Sequence, residues 1–367
     1  MILLYYGLGS EQLRPANRLW TLLPFNPTER NDRILSHPHP SGNPQSTSSP
    51  NIFKGRMAPV FAGFCLRPHH GQPNRSAMHR SVSTVWIWAW LSIVLLGGPE
   101  IRAAGVKDTS KPNIVFFLVD DMGWQDTSVP FHTERTLLNR RYRTPNMEKL
   151  AARGMKFTQA YASAVCSPTR ISAMTGMNAA RHRITNWTLR KNRSPDNPSR
   201  LIEPPKWNLN GICTDSGVEN TTQVTPLPAL LQTSGYRTIH VGKAHFGAQD
   251  TPGADPLNLG FEINVAGHYA GGPGSYWGEK NFSAAWRTNP PDRIWDVPGL
   301  EAYHGKEIYL TEALTLEAIK AMEASTREEK PFYLYLSHYA IHAPFEKDDR
   351  FYQKYLDEGL KPFEATF

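Results

Sequence analysis

One of the three cysteines in this 367-residue chain stands just ahead of a proline and an arginine, in Cys166-Ser-Pro-Thr-Arg170. Ser167 followed by Pro168 predicts the start of a helix, with the serine as N-cap. Cys166 would then lie at the helix N-terminus, where free N–H groups and the helix dipole favour negative charge. A cysteine in this position is typical of a reactive thiolate or of a disulfide, here with Cys213. Neither interpretation accounts for the proline and the arginine at fixed offsets.

Two adjacent carboxylates, Asp120 and Asp121, directly follow the apolar run 113–119. Burying both carboxylates without compensation would be costly, and a hard divalent cation bound by oxygen atoms would supply that compensation. A solvated turn is the alternative interpretation of the pair. Its position at the end of a predicted strand favours a metal site, because sites form at such ends.

Two more apolar runs also end in polar residues. Lys243 and His245 follow the run 236–241, and His342 follows the run 332–336. Such runs are typical of strands covered on both faces, and helical patterns between them predict an α/β fold with a mostly parallel sheet. Ligands bind beyond the carboxyl ends of parallel strands, so the three polar clusters are expected to converge on one site.

Helices and long loops are predicted between these strands. Proline after threonine predicts the start of helices at residues 144–154 and 225–235. An apolar stripe predicts a third helix at residues 311–324. The segments 178–224 and 247–305 are rich in Pro, Gly, Asn and Trp. We interpret them as long insertions around the rim of the sheet, where substrate selection usually resides.

The formal net charge of +7 is concentrated near the N-terminus. Residues 1–105 carry 10 Lys and Arg against 4 Asp and Glu, whereas the remaining residues carry 30 against 29. The body of the chain is therefore close to neutral. This balance argues against a protein that binds nucleic acid.

The N-terminal hundred residues are predicted to lie outside the folded domain. We expect residues 1–77 to be a disordered upstream extension and translation to start at Met78. Residues 78–105 combine a basic residue, an apolar core too short to span a bilayer and small residues, which predicts a signal peptide. A membrane anchor or a buried helix is the alternative. We expect a periplasmic or secreted protein without a stable membrane span, whose catalytic domain covers 106–367.

Cys166-Ser-Pro-Thr-Arg170 resembles the Cys-x-Pro-x-Arg signature of the type I sulfatases, which belong to the alkaline-phosphatase superfamily. The stretch PNIVFFLVDDMGW resembles the first strand of that family, and TPNMEKLAARGMKFTQAYASAV resembles the approach to its signature. Lys243 and His245 are similar to its Gly-Lys-x-His element, and His342 is similar to its His-x-Pro element. The resemblance runs from about residue 111 to the end of the chain, in the order of the family.

The resemblance implies an alkaline-phosphatase-like sheet flanked by helices and a sulfuric ester hydrolase. In this family a maturation enzyme oxidises the cysteine to formylglycine, and one hydroxyl of the aldehyde hydrate attacks sulfur. The metal ligands would be Asp120, Asp121 and the modified Cys166, and they would hold Ca²⁺, with Mg²⁺ as the alternative. The substrates implied are sulfated carbohydrates or aryl sulfate esters. A phosphatase of the same fold would carry serine or threonine in place of Cys166.

Four further residues receive roles from the resemblance. Arg170 would orient the hydrate, and Lys243 would balance charge on the sulfuryl oxygens. His342 would protonate or stabilise the leaving oxygen, and His245 would take the proton from the second hydroxyl so that sulfate is expelled. Three other histidines carry no role in the family elements. We expect His240 and His338 to be structural. We expect His182 either to line the pocket or to be solvated.

The family has further elements after its His-x-Pro, namely an Asp-Asn pair, a second lysine and a smaller C-terminal domain. They do not appear between His342 and Phe367. We therefore expect a truncated catalytic domain that lacks the last part of the sheet. The alternative to an active sulfatase is an inactive remnant that binds sulfated glycans, with Cys166 unmodified or bonded to Cys213.

Overall fold

A five-stranded sheet organises the part of the chain that the computed structural model describes, which is residues 2–6 and 111–367. The strands among these residues are β1 (Ile2–Tyr6), β2 (Ile114–Val119), β3 (Ile212–Cys213), β4 (Thr222–Gln223), β5 (Arg237–Gly242), β6 (Ile263–Val265) and β7 (Phe332–His338). The order in the large sheet is β1-β2-β7-β5-β6, and β3 pairs with β4 in a separate two-stranded sheet.

Strands β2, β7, β5 and β6 run parallel, whereas β1 pairs antiparallel with β2. In this register Val119 lies opposite His338, and Gly242 lies opposite Ser337. The three predicted strands that end in polar residues therefore end at one edge of the sheet. The predicted α/β class with a mostly parallel sheet is confirmed.

Helices flank the sheet. The α-helices in the described residues are α1 (Leu137–Arg141), α2 (Pro145–Arg153), α3 (Cys166–Thr175), α4 (Ala179–His182), α5 (Leu227–Thr233), α6 (Leu310–Arg327), α7 (Asp349–Asp357) and α8 (Pro362–Thr366). Short 3₁₀ helices lie at Pro252–Ala254, Pro256–Leu259, Gly278–Lys280, Ala285–Arg287 and Glu301–Tyr303. The predicted helices 144–154, 225–235 and 311–324 correspond to α2, α5 and α6, so their existence is confirmed.

The two faces of the sheet are covered by separate apolar cores. On one face, strand residues such as Leu334 and Val241 pack with the buried stripe of α6, which is Leu310, Ala313, Leu314 and Ala318. On the other face, Tyr333 and Tyr335 pack with Ile171 and Met174 of α3. Alternate residues of β7 thus serve opposite cores, which is why β7 is apolar throughout and not alternating.

The segments predicted as long loops contain some regular structure. Strand β6 and all of the 3₁₀ helices in the described residues lie in or next to the segment 247–305. Many residues of this segment are nevertheless buried, among them Phe261, Tyr276 and Phe282. The segment is therefore a packed part of the domain rather than an exposed rim.

Strand β1 lies within the residues 1–77 that were expected to be disordered. Residues Ile2–Tyr6, with the sequence Ile-Leu-Leu-Tyr-Tyr, pair with the edge of β2, and the interpretation of 1–77 as an upstream extension stays a prediction. The rest of that segment and the predicted signal peptide 78–105 lie outside the described residues. Among the helices that the structure describes, none has both the length and the apolar character needed to cross a membrane.

Two leucines of α6 offer a direct test of the core beneath the sheet. Leu314 is fully buried, whereas 37% of Leu316 is exposed on the same helix. We expect Leu314→Ala to lower the free energy of unfolding by about 2–5 kcal/mol, because it leaves a cavity against β5 and β7. Leu316→Ala should change it by about 1 kcal/mol or less, since little buried surface is lost. Urea unfolding measures both variants, and equal losses would contradict the placement of α6.

Candidate active site

A buried carboxylate joins the three predicted clusters at the carboxyl edge of the sheet. Asp120 directly follows β2, and 6% of it is exposed. Its Oδ1 accepts a hydrogen bond from Nη2 of Arg170 at 3.0 Å, and its Oδ2 forms an ion pair with Nζ of Lys243. Both cations are fully buried as well. Asp120, Arg170 and Lys243 therefore form a buried ion triad with one excess positive charge.

The triad determines the charge state of its carboxylate. Burial alone raises the pKa of Asp120, but the neighbouring Arg170 and Lys243 outweigh burial and hold that pKa well below its usual range. Burial alone lowers the pKa of the Arg170 guanidinium, and Asp120, with smaller contributions from Tyr335 and Cys166, raises it above its ordinary value. Asp120 and Arg170 are thus both charged in the folded protein.

Main-chain and hydroxyl groups fix the geometry of the triad. Arg170 lies one turn into α3, and its Nη1 donates to the carbonyl of Lys243 at 2.8 Å and to Oγ of Ser337 at 2.6 Å. The backbone N–H of Lys243 donates to the carbonyl of Ser337 at 2.7 Å. One guanidinium therefore joins α3 to the ends of β5 and β7.

Helix α3 begins two residues earlier than the capping pattern predicts. It starts at Cys166, and Val165 is the N-cap without a side-chain cap bond. The prediction of Ser167 as N-cap is wrong because its hydroxyl accepts the backbone N–H of Thr188 at 3.1 Å instead. Cys166 remains at the helix N-terminus, half-buried, and contributes to the pKa of Arg170. Cys166 and Cys213 are both unpaired, so the disulfide of the alternative interpretation is absent.

His245 follows β5 and is buried beside the triad. Its Nε2 lies 2.5 Å from the carbonyl of Thr188, and a carbonyl only accepts, so Nε2 carries the proton. Burial, and next the charge of Lys243, lower the pKa of His245 to about 3, which keeps the imidazole neutral. The other nitrogen, Nδ1, is buried and has no hydrogen-bond partner among the described residues.

His342 reaches the site from the segment after β7. Backbone bonds between Asp120 and the residues Ala340 and Ile341, at 3.1 Å and 2.9 Å, extend the β2–β7 ladder beyond the strands. Nδ1 of His342 lies 2.7 Å from the carbonyl of Ala343 and therefore carries the proton of the neutral ring. Nε2 then faces Asp121, whose Oδ2 is 4.0 Å away.

Asp120, Asp121 and His342 form a group whose ligand atoms all lie within 4.8 Å of one another. Two carboxylates fit a hard divalent cation such as Ca²⁺, whereas an imidazole is more typical of transition metals. Asp121 is mostly exposed, and its backbone has φ 53°, in the left-handed region. Cys166, predicted as a third ligand, is not part of this group.

Three further histidines, His182, His240 and His338, are buried in the packing of the domain. His240 is buried in the core, stacks on Tyr335 with ring centres 5.4 Å apart and lies 3.1 Å from Oδ1 of Asn264. His338 is buried against Phe117. His182 is also buried, with Nε2 3.0 Å from Oγ of Ser172, so the expectation of a solvated side chain is wrong.

Four residues of the site are not among the predicted ones: Ser337, Thr188, Gly271 and Gly272. Ser337 lies in β7 directly after the apolar run 332–336 and could have been inferred from that position. Thr188 and the two glycines lie in predicted loops, and nothing local in the sequence marks them. A separate cavity of about 540 Å³ is lined by residues such as Trp286, Arg293 and His304, and none of the predicted site residues lines it.

Comparisons with known proteins agree on one family. The family model described as "Sulfatase" matches residues 112–359. N-acetylgalactosamine-6-sulfatase of Canis lupus familiaris is 30% identical over 265 residues, which are 70% of this chain and 44% of that protein. Arylsulfatase J of Mus musculus is 26% identical over 264 residues, 70% of this chain and 37% of that protein. The chain thus spans less than half the length of these curated relatives.

A solved structure has a similar fold. The protein in "Crystal structure of Ps i-CgsB" superposes with a TM-score of 0.50 at 24% identity, covering 70% of this chain and 51% of that chain. At this identity the likeness concerns the fold. It agrees with the mostly parallel sheet described above.

The buried ion triad predicts unequal effects of two neighbouring carboxylates. Asp120→Asn leaves Arg170 and Lys243 buried without a counter-charge, so we expect the free energy of unfolding at pH 7 to fall by about 3–5 kcal/mol. Asp121→Asn should change it by about 0.5 kcal/mol, because this exposed side chain makes no close ion pair and asparagine tolerates its positive φ. Urea unfolding with a chelator present measures both, and similar losses would contradict the triad.

The core histidine His240 predicts a pH dependence of stability. Burial lowers its pKa to about 3 from an ordinary value of 6.5, so the unfolded chain binds the proton more readily. Its contribution to stability is complete above pH 6.5 and is lost as the pH falls toward 3. We expect His240→Gln to reduce the slope of unfolding free energy against pH, between pH 6 and 4, by up to about 1.4 kcal/mol per unit. Exposed His132→Gln is the control, and equal slopes in all three proteins would refute the assignment.

Proposed function

This chain belongs to the sulfatase family, and we propose that it is the catalytic part of an enzyme that hydrolyses sulfate esters, with Cys166 as the precursor of the nucleophile. The observation that carries the proposal is the convergence of Arg170, Lys243 and Asp120 beside the N-terminus of α3, where Cys166 stands. A sulfate ester carries negative charge, and the excess positive charge of the triad favours it.

The proposed nucleophile is the hydrate of a formylglycine made from Cys166 by a maturation enzyme. Two buried polar atoms, Nε of Arg170 and Nδ1 of His245, could form hydrogen bonds with the hydroxyls of such a hydrate. Neither has a hydrogen-bond partner among the described residues, although buried polar atoms usually have one. When formed, the hydrate would supply one hydroxyl for attack on sulfur and a second for release of sulfate.

The proposed metal is Ca²⁺, held by Asp120 and Asp121 together with the modified Cys166. When bound, the cation would polarise the sulfuryl oxygens. The carboxylates fit this ion in kind, but Asp120 already accepts from Arg170 and Lys243, so this pair alone supplies few free oxygens. Further oxygen ligands would have to come from water, substrate or residues outside the described part of the chain.

The remaining residues would move protons and balance charge. We assign Lys243 to the sulfuryl oxygens and Arg170 to the orientation of the nucleophile. His245 is neutral and has Nδ1 without a proton, so it is suited to accept the proton of the second hydroxyl. His342 turns Nε2 toward Asp121 on the open side of the site, where its protonated form would donate to the leaving oxygen.

We propose sulfated carbohydrates as the substrate class. The support is the 30%-identical relative, which is an N-acetylgalactosamine-6-sulfatase, and the open position of His342 and Asp121 at the surface. We also propose that the protein is exported, with residues 78–105 as its signal peptide and 1–77 as an upstream extension. The folded catalytic part would then be 106–367.

The proposal is tested on chain expressed in its own host, by the mass of the tryptic peptide Phe157–Arg170 and by sulfate release. We expect the peptide to carry an aldehyde in place of the Cys166 thiol, and the protein to release sulfate from 4-nitrophenyl sulfate and from N-acetylgalactosamine 6-sulfate. Cys166→Ala should reduce release by about a thousandfold or more.

The matched control is Cys213→Ala, which removes the other unpaired cysteine of the described part and should leave the peptide mass and the activity in place. A free thiol at Cys166 in folded protein would refute the formylglycine. An aldehyde without sulfate release would refute hydrolysis by this chain and would favour the glycan-binding remnant.

A further inference from the structure

A loop of residues 271–276, here called the glycine loop, runs between the two histidines of the site. A Cβ atom on Gly271 would lie 2.4 Å from Cε1 of His245, and a Cβ atom on Gly272 would lie 3.0 Å from Nδ1 of His342. Both distances are shorter than ordinary contacts of a Cβ atom. The backbone of the glycine loop therefore packs directly against both imidazoles, and a side chain at Gly271 or Gly272 would require the neighbouring imidazole to shift.

The far end of the glycine loop is held by one carboxylate. Oε2 of Glu346 accepts from Oγ of Ser275 and from the backbone N–H of Tyr276, each at 2.7 Å. Oε1 accepts from Nζ of Lys280 at 2.9 Å and lies 3.5 Å from Arg287. Only 14% of the Glu346 side chain is exposed, so these partners replace most of its water.

The charge of Glu346 is secured by the same partners. Burial alone raises the pKa of Glu346, but the bonds from Ser275, Lys280 and the Tyr276 backbone outweigh burial and lower it. A glutamine at this position could not reproduce the arrangement. Its amide has one acceptor oxygen, so its NH₂ group would face N–H or O–H donors on one side.

Glu346 and His342 belong to the same segment, and Tyr276 joins the loop to both. The hydroxyl of Tyr276 donates to the carbonyl of His342 at 2.7 Å, and the hydroxyl of Tyr309 donates to the carbonyl of Glu346 at 2.7 Å. The contacts form a closed ring, from His342 through Gly272 and Tyr276 to Glu346. A closed ring of hydrogen bonds and backbone packing limits the orientations that the His342 imidazole can adopt.

We infer that Glu346 is a positioning residue for His342: it holds the glycine loop against the imidazole, so that Nδ1 stays on the carbonyl of Ala343 and Nε2 stays directed at the reacting groups. The inference rests on the proposed function, because it concerns the histidine to which that proposal assigns donation to the leaving oxygen. Glu346 itself touches neither the ion triad nor the reacting atoms in this arrangement, and its effect passes through the loop.

The test of positioning compares two substrates that differ in their need for a proton donor. 4-Nitrophenol leaves readily as an anion, whereas the sugar hydroxyl of N-acetylgalactosamine 6-sulfate requires protonation. We expect Glu346→Gln to lower kcat on the sugar sulfate by about tenfold to a hundredfold, and kcat on the aryl sulfate by less than about threefold. Equal losses on both substrates would mean a general structural effect and would overturn the inference.

A second measurement does not depend on turnover. The ¹⁵N shifts of the His342 imidazole, assigned with His342→Gln, report the hydrogen bond of Nδ1. We expect these shifts to move in Glu346→Gln. They should stay unchanged in the control Glu307→Gln, which makes the same change of side chain at an exposed position. Unchanged shifts in Glu346→Gln would overturn positioning, whether or not the protein hydrolyses sulfate. Absence of turnover with moved shifts would count against the proposed function alone.

A milder variant covers the case in which Glu346→Gln does not fold, as judged by circular dichroism. Tyr276→Phe removes only the hydroxyl that bonds the His342 carbonyl and leaves the buried ring, which stacks on Tyr309 at 5.2 Å. We expect it to move the His342 shifts in the same direction and to reduce kcat on the sugar sulfate more than on the aryl sulfate. Unchanged shifts in a folded Tyr276→Phe would overturn the closed ring.

Discussion

The site depends on one buried carboxylate that two buried cations share. Removing three charged groups from water is expensive, and the expense is offset only if each group keeps its partners at hydrogen-bond distance. Asp120 ends β2, Arg170 lies in α3 and Lys243 follows β5, so satisfying this carboxylate fixes the relative positions of three elements. The excess positive charge of this arrangement remains in a place of low dielectric, where it attracts an anion strongly.

The sheet makes that arrangement possible because its hydrogen bonds continue past the strand ends. Asp120 still pairs with Ala340 and Ile341 through the backbone, and Lys243 still pairs with Ser337. The side chains at these positions are therefore held as firmly as residues within the strands. The two apolar cores cover the faces of the sheet and leave its carboxyl edge to polar groups. Rigid backbone beneath polar side chains is what preorganised electrostatics require.

The sequence predicts the parts of this structure that obey short-range rules. The apolar runs before Asp120, Lys243 and His342 predict the three strands, and their common edge follows from parallel pairing. The cap of α3 shows where such rules fail. Ser167 is a good N-cap by residue type, but its hydroxyl accepts a hydrogen bond from the backbone N–H of Thr188, 21 residues away. The role of the glycine loop cannot be predicted from the sequence for the same reason, because it depends on contacts between residues that are distant in the chain. Gly271 and Gly272 matter only because the imidazoles of two segments that follow β5 and β7 lie beside them, and no local pattern encodes that approach.

The two histidines of the site show how surroundings divide proton chemistry between identical side chains. Each places one ring nitrogen on a backbone carbonyl, but His245 uses Nε2 and His342 uses Nδ1, so they present opposite nitrogens to the site. His245 is buried beside Lys243, which disfavours its charged form and suits it to accept a proton. His342 is partly exposed, and its Nε2 faces the carboxylate of Asp121 at 4.0 Å on the open side of the site. In the proposed reaction one histidine therefore receives the proton of the nucleophile and the other delivers a proton to the leaving group, and the glycine loop separates the two.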